Sequence, residues 1–177
     1  TDIGAVGPSG VFTGPATIDD PAVRSFLEDR LREDSDGRKR LLIASASKKI
    51  RRDIWLTQQD VREFQLAKAA ISATWQMLCQ EQGLEPEDIQ DVYVAGAFGN
   101  YIRAEAAVSL GLVPRACPRE RIHSVGNTAL GGARLALLNS DYRDRAHEIL
   151  ANTRFVELAG RDDFQETFAL ELALSGT

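Results

Sequence analysis

The chain has 177 residues, 44% hydrophobic and 27% charged, with a net charge of −5. That is enough to bury one core, or one core with an appendage, and too acidic for a general nucleic-acid surface, which needs a basic face. No apolar run approaches the roughly 18 residues of a membrane-spanning helix and no signal-peptide pattern opens the chain, so a cytoplasmic location is expected. Cys79 and Cys117 stand alone, outside any iron–sulfur or zinc spacing. With no initiator Met, the chain is expected to be part of a longer protein.

Residues 1–20 carry Gly4, Gly7, Pro8, Gly10, Gly14 and Pro15 and read as a loop with a short extended pair around Gly10–Phe12. Asp20-Pro21 supplies a cap and a first helical residue, predicting a helix to about Arg32 closed by the acidic turn Glu33–Gly37. Arg40–Ser45 and Asp53–Thr57 predict a hairpin whose basic connection, with Lys48, Lys49, Arg51 and Arg52, reads as a solvated turn. Thr57-Gln-Gln-Asp60 has capping-box spacing, with Asp in place of the usual Glu, and opens the strongest helix. Val61, Phe64, Lys68, Ile71, Trp75 and Leu78 form its stripe, Lys68 being the single charged interruption, and Gly83 ends it.

A short buried strand follows at Val92–Ala95, ending abruptly at Gly96, with Gly99 three residues later. Two glycines at the carboxyl end of a strand permit backbone angles closed to other residues and leave no side chain before an approaching ligand. Open α/β sheets bind ligands there, although most strand–turn–helix connections bind nothing. The spacing is not that of a dinucleotide fingerprint, and no G-x-x-x-x-G-K-[ST] loop occurs. Downstream come a helix over Arg103–Leu110, a strand over Arg121–Val125, and a helix over Thr128–Leu138. The adjacent Gly131 and Gly132 each cost about 1 kcal/mol against Ala in a helix, predicting that another backbone packs closely there. A helix over Tyr142–Ala151, a strand over Thr153–Leu158 and an amphipathic helix over Phe164–Leu174 complete the reading, and the alternation predicts an α/β fold with parallel pairs. His123 and His147 are far apart, with no carboxylate cluster between them, and are expected to be satisfied or exposed rather than metal ligands.

The stretches Leu56–Ile71, Val92–Ile102 and Val125–Ala133, in this order and separation, resemble the C-terminal half of the reductive activators of corrinoid proteins. These are ATP-dependent iron–sulfur proteins of the acetate and sugar kinase, heat-shock chaperone and actin superfamily. The resemblance implies an α/β, ribonuclease-H-like lobe of an actin-type ATPase, a mixed sheet with flanking helices. Residues 38–177 would form this second lobe and 1–37 would be a loop and short helix left from the preceding segment. Gly96, Ala97, Phe98, Gly99 and Asn100 would sit against the ribose and base of ATP. Gln65, Lys68 and Ser72, on the helix that closes over the base in chaperone relatives, are candidates for further contacts, with a solvated surface charge the plainer reading of Lys68. Gly126–Ala133 would match the second connecting helix, where small residues let two lobes hinge.

For the parent protein, the resemblance implies ATP with Mg²⁺ and a two-iron two-sulfur cluster held in a separate N-terminal domain. It also implies a corrinoid protein of a methyltransferase system as partner, a homodimer, and ATP-driven reduction of Co(II) to Co(I). This chain carries no phosphate loop of that family, so alone it is expected to hydrolyse nothing. No residue of it is assigned as a general base or nucleophile. The rival reading is a non-catalytic, actin-like binding or dimerisation module of a ferredoxin-type protein from another pathway.

Overall fold

The protein is described by a computed structural model covering residues 4–96 and 101–174. It divides into two compact units, one made of residues up to Ile71 with those from Thr167 onward, the other of Ser72–Glu166.

In the first unit the glycines near the start fold into a tight hairpin. Val6 bridges Phe12, and Gly10 adopts the left-handed φ of +80° that the turn demands. Asp20 caps helix α1 (Pro21–Arg30) by accepting hydrogen bonds from the amides of Ala22 and Val23, and Pro21 fills the first helical position. The helix ends two residues earlier than its sequence predicts. Leu31–Glu33 forms strand β1, which pairs antiparallel with β2 (Lys39–Ala44) in the register Leu31↔Leu41 and Glu33↔Lys39. The acidic turn is therefore a hairpin turn. Asp34 Oδ1 accepts from the amides of Asp36 and Arg38, and Gly37 takes a φ of +73°. The expected second hairpin is present: β2 pairs antiparallel with β3 (Ile54–Thr57), and the Arg40 guanidinium lies 4.2 Å over the Trp55 ring. Phe12, Leu27, Leu41, Val61 and Leu174 form the buried core of this unit. Full burial of a side chain such as Phe12 stabilises by about 2–3 kcal/mol.

Helix α2 (Gln58–Gln82) starts where the capping box places it. The amide and hydroxyl of Thr57 donate to Asp60 Oδ2 at 2.8 and 2.7 Å, and Thr57 Oγ1 accepts from the Asp60 amide at 3.2 Å. Gly83, at φ +63°, terminates the helix, the Leu84 amide returning to the Cys79 carbonyl in the manner of a Schellman motif.

The second unit contains the parallel pair β4 (Val92–Ala95) and β5 (Ile122–Gly126), joined through α3 (Ala104–Ser109), which is a βαβ unit. Ala107, Val113 and Cys117 form its small core, with Val92, Ile102 and Ile122 packed on it. Helices α4 (Thr128–Leu138) and α5 (Ser140–Ala151) follow, opened by Asn127 and Asn139 respectively, each side chain accepting from a backbone amide. Antiparallel and parallel pairings thus fall in separate sheets among the described residues.

Two expected elements differ. Residues 153–158 form no strand, and Phe155 is 82% exposed. β-Branched and aromatic residues favour an extended chain, but a strand also needs a neighbour to take its amides and carbonyls, and no described segment supplies one. The last helix, α6 (Asp162–Leu170), ends four residues before the predicted Leu174, and the Leu174 amide donates to the Pro8 carbonyl at 2.8 Å instead of back along the helix. Arg161, next to the start of α6, donates to Asp163 and Glu81, and these hydrogen bonds hold both carboxyls below their ordinary range.

The Thr57–Asp60 box yields a test. Thr57→Ala should lower stability by about 1 kcal/mol at neutral pH, the usual worth of such a cap. Hydrogen bonds from Thr57 depress the Asp60 carboxyl in the folded protein, so its contribution is present above the unfolded value near 3.9 and is lost as pH falls through the lower folded one. Urea denaturation of wild type and variant should therefore show a difference at pH 7 that shrinks in acid. A difference independent of pH would contradict the reciprocal box.

Candidate functional site

The parallel register Val92↔Ile122, Tyr93↔His123 and Val94↔Ser124, with a shift that then pairs Ala95 with Gly126, brings the carboxyl ends of β4 and β5 to the same edge. There the Gly96 amide donates to the Gly126 carbonyl at 2.8 Å. Both glycines are left-handed, at φ +85° and +64°, which explains why glycine stands at each position. A Cβ built on Gly96 would meet nothing within 4 Å among the described residues. Immediately after Gly126, Asn127 caps α4, its Oδ1 accepting from the Leu130 amide at 3.0 Å. The first turn of α4 thus directs its partial positive charge to the edge where the strands end. Of the expected adenosine residues, Gly96 lies at this edge, while Ala97, Phe98, Gly99 and Asn100 lie outside the described residues.

Gln65 and Lys68 occupy the first unit. Lys68 is only 2% exposed, which corrects the reading of a solvated surface charge. Its three N–H donors reach Glu171 Oε2 at 2.7 Å, the Glu171 carbonyl at 2.9 Å and the Ala173 carbonyl at 3.2 Å. A buried ammonium is tolerable only when so satisfied. Gln65 is likewise buried, its Nε2 donating to the Ser9 carbonyl at 3.2 Å and the Leu172 carbonyl at 2.8 Å. Ser72 belongs to the second unit, is 2% exposed, and accepts a hydrogen bond from Gln76 Nε2 at 3.2 Å. Its place on α2 is therefore interior, as are those of Gln65 and Lys68.

The close backbone expected at Gly131 and Gly132 is not found: among the described residues nothing approaches within 4 Å of a Cβ built on either. Among the described residues α4 is largely exposed, Leu130 at 67% and Leu137 at 83%, so packing there offsets little of the cost of its glycines. His123 is satisfied, as expected, by a partner that lies 32 residues away in sequence. Its Nε2 is 2.8 Å from Asp91 Oδ1, and its ring stacks on Tyr93 at 5.1 Å. No group of three potential metal ligands occurs among the described residues. Cys79 and Cys117 have thiols raised by burial, and two cysteines cannot furnish the four ligands of a two-iron two-sulfur cluster. No described helix is long and apolar enough to cross a membrane.

Sequence reasoning missed the Lys68–Glu171 pair because its members are 103 residues apart. The one available signal was a charge in an apolar stripe, a position that asks for a buried counter-charge.

A three-stranded antiparallel meander is followed by a long helix and a βαβ pair whose strands end at Gly96 and Gly126, and likeness to known proteins assigns this α/β arrangement to the actin-type fold class. Residues 12–177 match the family model described as the C-terminal domain of RACo, the ASKHA domain, and the chain belongs to that family, whose domain type implies nucleotide binding. A corrinoid activation enzyme RamQ of Eubacterium limosum is 39% identical over 119 residues, 67% of this chain and 20% of the relative. A reductase for the Co(II) methylated amine-specific corrinoid protein of Methanosarcina barkeri is 38% identical over 96 residues, 54% of this chain and 17% of the relative. The solved structure of a reductive activator for a corrinoid, iron–sulfur protein superposes with a TM-score of 0.81 at 29% identity, covering 98% of this chain and 26% of that one. The chain thus spans a fifth or less of the curated relatives and about a quarter of the solved structure.

Removing the buried ammonium tests its structural role. Lys68→Met should cost roughly 3 kcal/mol, the low end for breaking a buried pair because Glu171 keeps some access to water. Urea denaturation monitored by circular dichroism checks this, and a loss under about 1 kcal/mol would show that Lys68 is not the anchor its contacts imply.

Proposed function

We propose that this chain is the nucleotide-binding lobe of a protein that uses ATP to reduce the Co(II) form of a corrinoid protein to Co(I), with the bend from Gly96 to Asn100 seating the adenosine. The observation that carries the reading is the paired left-handed glycines, Gly96 and Gly126, at the carboxyl edge of β4 and β5 in a chain of this family. A Cβ-free backbone with no described residue within 4 Å of where a Cβ would stand suits the flat face of a purine or ribose. The adjoining α4 N-terminus favours negative charge.

The reduction is a one-electron step, and Co(I) lies at a potential that ordinary ferredoxins populate poorly. ATP, bound with Mg²⁺, supplies the free energy, and an iron–sulfur centre elsewhere in the parent protein supplies the electron. The part of this chain is binding: a ligand that prefers one conformation shifts the protein toward it, and that difference in affinity is what can be coupled to the cobalt centre. Any contact of Gln65 or Lys68 with nucleotide requires residues 171–173, which now occupy their donors, to leave them, and Ser72 is a candidate by resemblance alone. The partner is a corrinoid protein of a methyltransferase system. The names of both curated relatives support a corrinoid partner over a non-catalytic binding module.

Nucleotide titration of the full-length protein tests the seat. Gly96→Val should weaken ATP binding at least tenfold, about 1.4 kcal/mol. Gly37→Val, equally left-handed and open but in the turn after β1, controls for backbone strain and should leave affinity unchanged. Unaltered affinity in Gly96→Val, or equal losses in the two variants, would remove the adenosine assignment.

A further inference from the structure

Two stretches without regular secondary structure meet on the first half of α2 and share its side chains. One is the turn Gly7–Gly10. The Gly7 amide donates to the Val11 carbonyl and the Gly10 amide to the Gly7 carbonyl, both at 2.9 Å. Gln58 Nε2 donates to the Gly10 carbonyl at 2.6 Å, and Gln58 Oε1 accepts from the Phe12 amide at 3.4 Å. A Cβ on Gly10 would run into the Gln65 amide, so the turn is moulded around that side chain. The other stretch is Glu171–Leu174, held by Lys68 through three contacts, by Gln65 through the Leu172 carbonyl, and by Leu174, which is 4% exposed in the core. The two touch directly where the Leu174 amide donates to the Pro8 carbonyl at 2.8 Å.

We propose that Gln65 and Lys68 make these two stretches a single conformational device, in which seating of the strap 171–174 sets the shape of the glycine turn. The reason lies in the arithmetic of donors. The Gln65 amide has two hydrogens, one given to Ser9 in the turn and one to Leu172 in the strap. Withdrawal of the strap leaves a buried N–H without an acceptor, and the side chain recovers one only by turning, which empties the space moulded against Gly10. Lys68 adds a larger penalty of the same kind, because lifting the strap removes its three acceptors, the Glu171 carboxylate and the Glu171 and Ala173 carbonyls, at once. Packed elements with such shared polar contacts have discrete arrangements rather than a continuum. A group that binds either stretch is therefore felt at the other, whether or not the β4 bend holds a nucleotide.

Hydrogen exchange of the full-length protein, read at single amides or short peptides, tests this. Glu171→Ala should speed exchange at Gly7, Gly10, Phe12 and Leu174 at least tenfold while amides of β4 and β5 change less than twofold. Glu171→Gln, which keeps an acceptor for Lys68 but not its charge, should show the same pattern at smaller amplitude. Gln65→Leu should loosen turn and strap together although the Lys68–Glu171 pair is intact. Acceleration confined to 171–174 in the Glu171 variants, or a uniform rise through both units in all three, would overturn the coupling.

Discussion

The parallel pairing of β4 with β5 is the constraint on which the candidate site depends. Parallel strands place their carboxyl ends side by side, so two glycines separated by thirty positions in sequence become hydrogen-bonded neighbours, Gly96 to Gly126. An antiparallel pair would have put the same two bends at opposite edges. Parallel order in turn requires a crossover, which the segment containing α3 provides, and its packing of Ala107, Val113 and Cys117 under Val92 and Ile122 gives the pair a hydrophobic face. Helix α4 then leaves β5 directly, so its amino end joins the same edge.

Helix α2 organises the first unit by different means. Its capping box fixes where it begins and Gly83 where it stops. Between these limits the apolar stripe alone would permit the helix to slide or rotate against other apolar surface. The buried Gln65 and Lys68 remove that freedom, because their donors fit acceptors at particular places on the N-terminal turn and the C-terminal segment. Replacing such a pair by apolar groups of similar shape can leave stability unchanged, so its distinctive contribution here is to registration.

What could be read from the sequence was what local chemistry specifies. The caps at Asp20 and Thr57, the stop at Gly83, the hairpin of β2 and β3, the strand before Gly96 and the span of α4 all follow from neighbouring residues and agree with the structure. The failures share one cause, which is dependence on distant partners. Leu31–Glu33 became a strand because β2 offers an edge, whereas 153–158 did not because nothing described offers one. The final helix stopped early where the Leu174 amide turned to the Pro8 carbonyl, far away in sequence. Of the site, Gly96 and Gly126 were both legible as glycines that follow predicted strands, while the hydrogen bond that joins them across thirty positions was not. Lys68 looked like a surface charge because its counter-charge is remote in sequence.

The account rests on adenosine lying against the bend that follows β4. Photoaffinity labelling of the full-length protein with an azido-adenine analogue of ATP, followed by peptide mapping, measures this directly. The account predicts label on the peptide spanning residues 96–101, abolished by excess ATP. ATP-protected label confined to other peptides, with none at this bend, would contradict it.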